Sequence, residues 1–193
     1  MKVEENGSSL VEVLGVLAII AVLAVSVWSL VSSAWSRYRL SQTLAQLQSL
    51  QKGINRMYAS AGKYDDLATD GIKKLLDNNV PPKDMRAGSN ALHHAMGGSV
   101  EVAPVFNNSL EGYGKACDSF TITFKNLNKK ACAELAAYSW IGNDSANIVS
   151  ITVKATKYVW PAHEAGEHAL PIEQAEAMSL CAESPLDITW EFR

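Results

Sequence analysis

From Val13 to Trp35 the chain carries no charged residue, and no other stretch constrains its fold so strongly. As an α-helix rising 1.5 Å per residue, this run is long enough to cross the ~30 Å hydrocarbon core of a bilayer. Glu12 stands at its threshold. A lone carboxylate in hydrocarbon costs about 2.5 kcal/mol or more, so an acid placed there calls for a partner. A secretory signal peptide would have a basic leader, a shorter apolar core and a small-residue cleavage site. The leader here, MKVEENG, has one lysine against two glutamates and fits that pattern poorly. A plain single-pass anchor is the other reading. Arg37 and Arg39 flank the run; positive flanks mark the cytoplasmic side, but two arginines against one lysine give a small bias.

Beyond the run the pattern turns amphipathic. Leu40, Leu44, Leu47, Leu50, Ile54 and Met57 recur at three- and four-residue steps between polar residues, the period of one helical face. No proline interrupts residues 8–60. One helix of about 50 residues, or ~75 Å, is therefore predicted, with Gly62 placed to end it; the alternative is a membrane helix followed by a separate surface helix. Residues 61–98 are turn-rich, with a short helix near Asp70–Asn78 closed by Pro81 and Pro82. Strand signals follow at Val100–Val105, Phe120–Phe124 and Ile148–Val153. Asn128–Tyr138 reads as a helix carrying Cys132, and Leu170–Cys181 as a helix beginning at Pro171, a residue suited to a first helical turn. Leu186–Phe192 alternates as a last strand. A long helix followed by a sheet with short helices is an α+β pattern.

The chain's 193 residues, 48% of them hydrophobic, suit one globular domain plus one membrane segment. A net charge of −3 without a Lys/Arg cluster argues against nucleic acid as a partner. Three cysteines, Cys117, Cys132 and Cys181, permit one disulfide with one thiol over if the domain is exported. The stretch HEAGEH superficially suggests a zinc hydrolase. That motif needs histidines four apart on one helical face, whereas His163 and His168 are five apart and Gly166 weakens any helix. A solvated surface loop is the better reading. His93 and His94 are adjacent and diverge on either a helix or a strand. Neither a phosphate-binding glycine loop nor a nucleophile elbow is present in the sequence, and no cofactor is implied.

Gly7, Ser8, Ser9, Leu10, Val11, Glu12 and the apolar run together resemble the class III signal of type IV prepilins. In that family a prepilin peptidase cuts after the glycine and methylates the new N-terminus, with glutamate as the fifth mature residue. Glu12 is fifth counting from Ser8. Ser8 departs from the usual Phe or Met, and the leader is acidic rather than basic. The resemblance implies cleavage between Gly7 and Ser8, N-methylation of Ser8, and an assembly charge at Glu12 that meets the Ser8 amine of a neighbouring subunit.

The later stretches INRMYASAGKYDDL, VPPKDM, HHAMGGSVEVAP, FTITFKNLNKKACAEL and LPIEQAEAMSLCAESPLDITWEF are similar, in that order, to type IVb pilins: the toxin-coregulated, bundle-forming and conjugative thin-pilus pilins. By that likeness Cys132 and Cys181 form the disulfide that closes the C-terminal region. Cys117 has no counterpart and reads as a small buried hydrophobe. The resemblance implies a leader at 1–7, a long helix at 8–60 with 8–35 as membrane and filament core, and an α+β head at 61–193. The implied function is the major subunit of a type IVb pilus, held in the bacterial inner membrane before cleavage and then polymerised into an extracellular filament for adhesion, aggregation or conjugation. Its partners would be copies of itself, the prepilin peptidase, the pilus assembly platform and its ATPase, and the inner membrane. It is not an enzyme in this reading. A minor pilin, a type II secretion pseudopilin and a membrane-anchored binding module are the alternatives.

Overall fold

The computed structural model describes residues 10–107, 116–140, 147–161, 168–183 and 186–193, apart from the side chains at 10, 11, 26, 29, 30, 107 and 116. The expected leader at 1–7 and the expected mature N-terminus Ser8 lie outside these residues, as do His163 and Gly166. The chain divides into two units, Met1–Arg39 and Leu40–Arg193.

One helix, α1, runs unbroken through Leu10–Tyr58. Glu12 in its first turn and Arg56 in its last complement the helix dipole. In the first unit its large apolar side chains face outward: Ile19, Leu23, Val25 and Trp28 are all exposed, Trp28 at 76%. With the side chains at 10, 11, 26, 29 and 30 outside the description, no helix among the described residues is long and apolar enough to cross a membrane, so the expected span over 8–35 is carried by the sequence alone. In the second unit the same helix is a core element. Leu47, Leu50 and Ile54 are fully buried, with Leu40, Leu44 and Met57 half-buried beside them, which is the three- and four-residue stripe of the sequence. The helix ends where the Ala61 and Gly62 N–H groups both donate to the Tyr58 carbonyl, at 3.1 and 3.0 Å. Gly62 takes φ +61° there, a conformation glycine adopts without a Cβ penalty.

Helix α2, Gly71–Asp77, lies between 3-10 turns at Asp65–Ala68 and Lys83–Met85. Leu67, Leu75 and Met85 from these three pieces plug the core. The strands are β1 (Leu92–His93), β2 (Ser99–Asn107), β3 (Ala116–Leu127), β4 (Ile148–Val153), β5 (Thr156–Val159), β6 (His168–Ala169) and β7 (Leu186–Phe192), with α3 (Lys129–Ala136) after β3 and α4 (Gln174–Leu180) before β7. The described strands form one sheet in the order β1-β2-β3-β7-β4-β5-β6. The β5–β6 pair is parallel and the other pairings are antiparallel. The C-terminal strand β7 therefore sits at the centre of the sheet, between β3 and β4, both well before it in sequence.

Alternation divides the sheet into two faces. Phe120, Ile122 and Phe124 of β3 pair with Phe192, Trp190 and Ile188 of β7, and all six are buried. The other face carries hydroxyls: Thr123 Oγ1 and Thr189 Oγ1 lie 2.8 Å apart, and Thr121 Oγ1 donates to the Ala103 carbonyl at 3.2 Å. Asn128 caps α3, its Oδ1 accepting the Ala131 N–H at 2.8 Å.

One expectation needs correction. The segment read as a helix from Pro171 becomes helical at Gln174, with Glu173 as its cap. The Leu170 N–H donates to the Val159 carbonyl at 3.2 Å, and Leu170 and Ile172 are both buried. Leu170 and Ile172 thus fill the core from a bend that precedes the helix, and Pro171 belongs to that bend rather than to a first helical turn.

Candidate assembly site

Glu12 lies exposed in the first turn of α1. Gly7 and Ser8, the expected cleavage and methylation positions, lie outside the described residues. Downstream of Glu12 the exposed side chains include Val16, Ile20, Leu23 and Val27, then Trp28 and Trp35. Trp35 meets Tyr38 edge-on, with ring centroids 6.2 Å apart. A contiguous exposed apolar surface of this kind marks a site for a membrane or another protein. The chemistry available here is packing and charge pairing.

The head is held at its C-terminal end by a covalent clip. Cys132 of α3 and Cys181, just after α4, are bridged, with Cα atoms 5.8 Å apart and a sequence separation of 49. Cys117 of β3 is a fully buried thiol outside that bridge. A groove of ≈420 Å³ is lined by Lys129, Lys130 and Ala133 on the α3 side and by Met178 and Ala182 on the α4 side.

Three polar anchors inside the head have no signal in the sequence pattern. Glu191 of β7 is 8% exposed. It accepts the Ser119 hydroxyl at 3.0 Å, the Ser150 hydroxyl at 2.9 Å and the Lys157 ammonium at 3.1 Å, so both carboxylate oxygens of this buried group are met. Gln46 of α1 donates to Asp84 at 2.5 Å, Gln42 donates to the same oxygen at 3.0 Å, and the Ala95 N–H donates to Gln46 Oε1 at 2.8 Å. The Gln46 hydrogen bond holds the Asp84 carboxyl below its ordinary range. Tyr158 of β5 donates to Glu176 of α4 at 2.7 Å, and burial, reinforced by that carboxylate, pushes its phenol up to about 12. All three join residues far apart in sequence, and such pairs become neighbours only once strand register is known.

The histidines diverge as their adjacency requires: His93 is exposed on β1 and His94 is buried. His168 is exposed on β6. Among the described residues, no group of three or more His, Cys, Asp or Glu could hold a metal ion.

The family model described as PilS N terminal matches residues 37–190 of this chain. The chain belongs to the PilS N-terminal family. This family member is 27% identical over 135 residues to the major structural subunit of the bundle-forming pilus of Escherichia coli O127:H6 (strain E2348/69 / EPEC), over 70% of its own length and 65% of that relative's. The chain thus spans just under two thirds of that relative. Among solved structures, a type IV b pilin from Salmonella typhi superposes with a TM-score of 0.52 at 16% identity, covering 77% of this chain and 98% of that one. TcpA, a type IV pilin from Vibrio cholerae El Tor biotype, gives 0.56 at 17% identity, covering 81% and 99%. At such identities the likeness is one of fold. The fold is that of the type IVb pilins, an α+β head built on a long N-terminal helix.

Proposed function

We propose that this pilin-fold chain is the major structural subunit of a type IVb pilus, a building block rather than an enzyme. The observation that carries the reading is the contrast along α1: apolar side chains are exposed from Val13 to Trp35 and buried from Leu47 onward. The likeness to the major structural subunit of the bundle-forming pilus supports it. In this reading the run first resides in the inner membrane as a single span. A prepilin peptidase cuts after Gly7 and methylates Ser8, and an assembly platform driven by its ATPase moves the subunit into a filament that serves adhesion, aggregation or conjugation.

Glu12 sets the register of that filament. The mature Ser8 amine, with a reference pKa of about 7.7 to 8.0, is cationic at neutral pH, and methylation leaves it so. Opposite charges in a dry core attract strongly, while either alone is penalised. A subunit therefore settles where its amine meets a neighbour's Glu12. Shearing the cell surface tests the whole reading. The chain should be the predominant protein of the sheared filaments. Trace amounts would make it a minor pilin or pseudopilin, and retention in the membrane without any filament would make it an anchored binding module.

A further inference from the structure

His94 is buried, 3% exposed, at the start of the turn that joins β1 to β2. Its ring stacks on Phe124 with centroids 5.0 Å apart and planes 16° from parallel. Nε2 lies 2.9 Å from the Lys125 carbonyl, and the Met96 N–H donates to Nδ1 at 3.2 Å. A carbonyl can only accept and a backbone N–H can only donate. The ring is therefore neutral, with its proton on Nε2, and both nitrogens are occupied.

The turn around this ring is tightly seated. The His94 N–H donates to the Gly98 carbonyl at 3.0 Å, and the Gly97 N–H to the His94 carbonyl at 2.8 Å. A Cβ on Gly98 would lie 1.8 Å from the Lys125 carbonyl oxygen and 2.5 Å from His94 Nε2, so a residue with a side chain does not fit there. The next residue, Ala95, ties the turn to α1 through its N–H bond to Gln46, which in turn holds Asp84. One imidazole thus fastens β3 on one side and a turn gripping the helix on the other.

We propose that His94 is the pin of an acid-released latch, whose protonation frees the 94–98 turn from β3 and from Gln46 of α1. A proton on Nδ1 would face the Met96 N–H donor to donor, so that bond is lost and a charge is left in a dry site. Burial already holds the ring below the ordinary histidine value of 6.5; charge on neighbouring His93 acts in the same direction and the Lys125 carbonyl bond against it. For a histidine lowered in the folded state, stability is full above 6.5 and is lost as pH falls toward the folded value. The charged groups around the site are His93 on β1, Glu101 on β2 paired with Lys125 on β3 at 2.6 Å, Asp187 on β7 bonded to the Asn126 N–H at 3.0 Å, and Asp84 behind Gln46. Asp84 is held below its ordinary carboxyl value and stays ionised between pH 7 and 5.

Hydrogen exchange of the full-length chain in detergent micelles tests this, with amide rates corrected for their intrinsic pH dependence. The open fraction at Ala95 and Met96 should rise up to about tenfold per pH unit between 6.5 and the folded value. His94→Asn should flatten this dependence, because its Oδ1 can accept the Met96 N–H and it does not titrate. Asp84→Asn should leave the dependence unchanged. A ring that titrates at or above 6.5, flat wild-type protection from pH 7 to 4.5, or the same acid loss in His94→Asn would each overturn the latch. Ring titration and exchange of the wild-type chain decide the matter even if a variant fails to fold, and neither depends on filament assembly.

Discussion

Glu12 sits exposed one turn into α1, so replacing it removes no packing within the subunit. Glu12→Val should insert into membranes at least as well as wild type, since its helix becomes more apolar. It should nonetheless assemble no filament if the carboxylate exists to meet an amine. Glu12→Asp keeps the charge but shortens the reach and should fall between the two. The ratio of sheared filament to membrane-held subunit reads all three, and normal assembly of Glu12→Gln would rule out charge pairing. Glu191 plays the opposite role, inside the head. Glu191→Ala would strand the Ser119 and Ser150 hydroxyls that now donate to it, which should cost about 1 to 3 kcal/mol. The denaturant midpoint should fall accordingly; an unchanged midpoint would mean that water replaces the carboxylate at no cost.

Among the elements, α3 and α4 depend on the bridge between Cys132 and Cys181. With its ends 49 positions apart in sequence, the clip is worth about 4 kcal/mol by the chain-entropy treatment, a large share of a domain's typical ~5 to 15 kcal/mol. Cys132→Ala or Cys181→Ala should lower subunit abundance and open β7 to proteases, as limited proteolysis would show. Cys117→Ala, deleting one small buried group, should cost less than half as much. The elements also show how far a sequence can be read. The α1 stripe was legible because burial every three or four residues is local, and β3 and β7 because their alternation is. The β4–β5 hairpin was not: its two-residue turn has Lys154 at φ +56° in place of the glycine or asparagine that announces such turns. The start of α4 lies three residues later than the sequence suggests because Pro171 is compatible with both a bend and a first helical turn. Glu191, Gln46 and His94 were invisible as polar anchors, since each depends on partners brought in by register.

For the whole molecule, the division at Arg39 and Leu40 separates two kinds of stability. Leu40–Arg193 carries its own core, disulfide and sheet. A chain starting at Leu40 should therefore fold and stay monomeric by size exclusion, with a cooperative thermal transition, and should never enter filaments; aggregation of that fragment would show that the head needs the preceding helix. The preceding residues supply the exposed apolar surface on which the proposed membrane and filament roles rest. The central claim is that this chain is a processed, polymerised subunit, and the intact mass of the protein recovered from sheared cell surfaces tests it most directly. The mass should correspond to a chain beginning at methylated Ser8 and containing 186 residues (193 minus 7) with one disulfide. A chain that retains Met1, or one that begins near Trp28 as after ordinary signal peptidase, would contradict it.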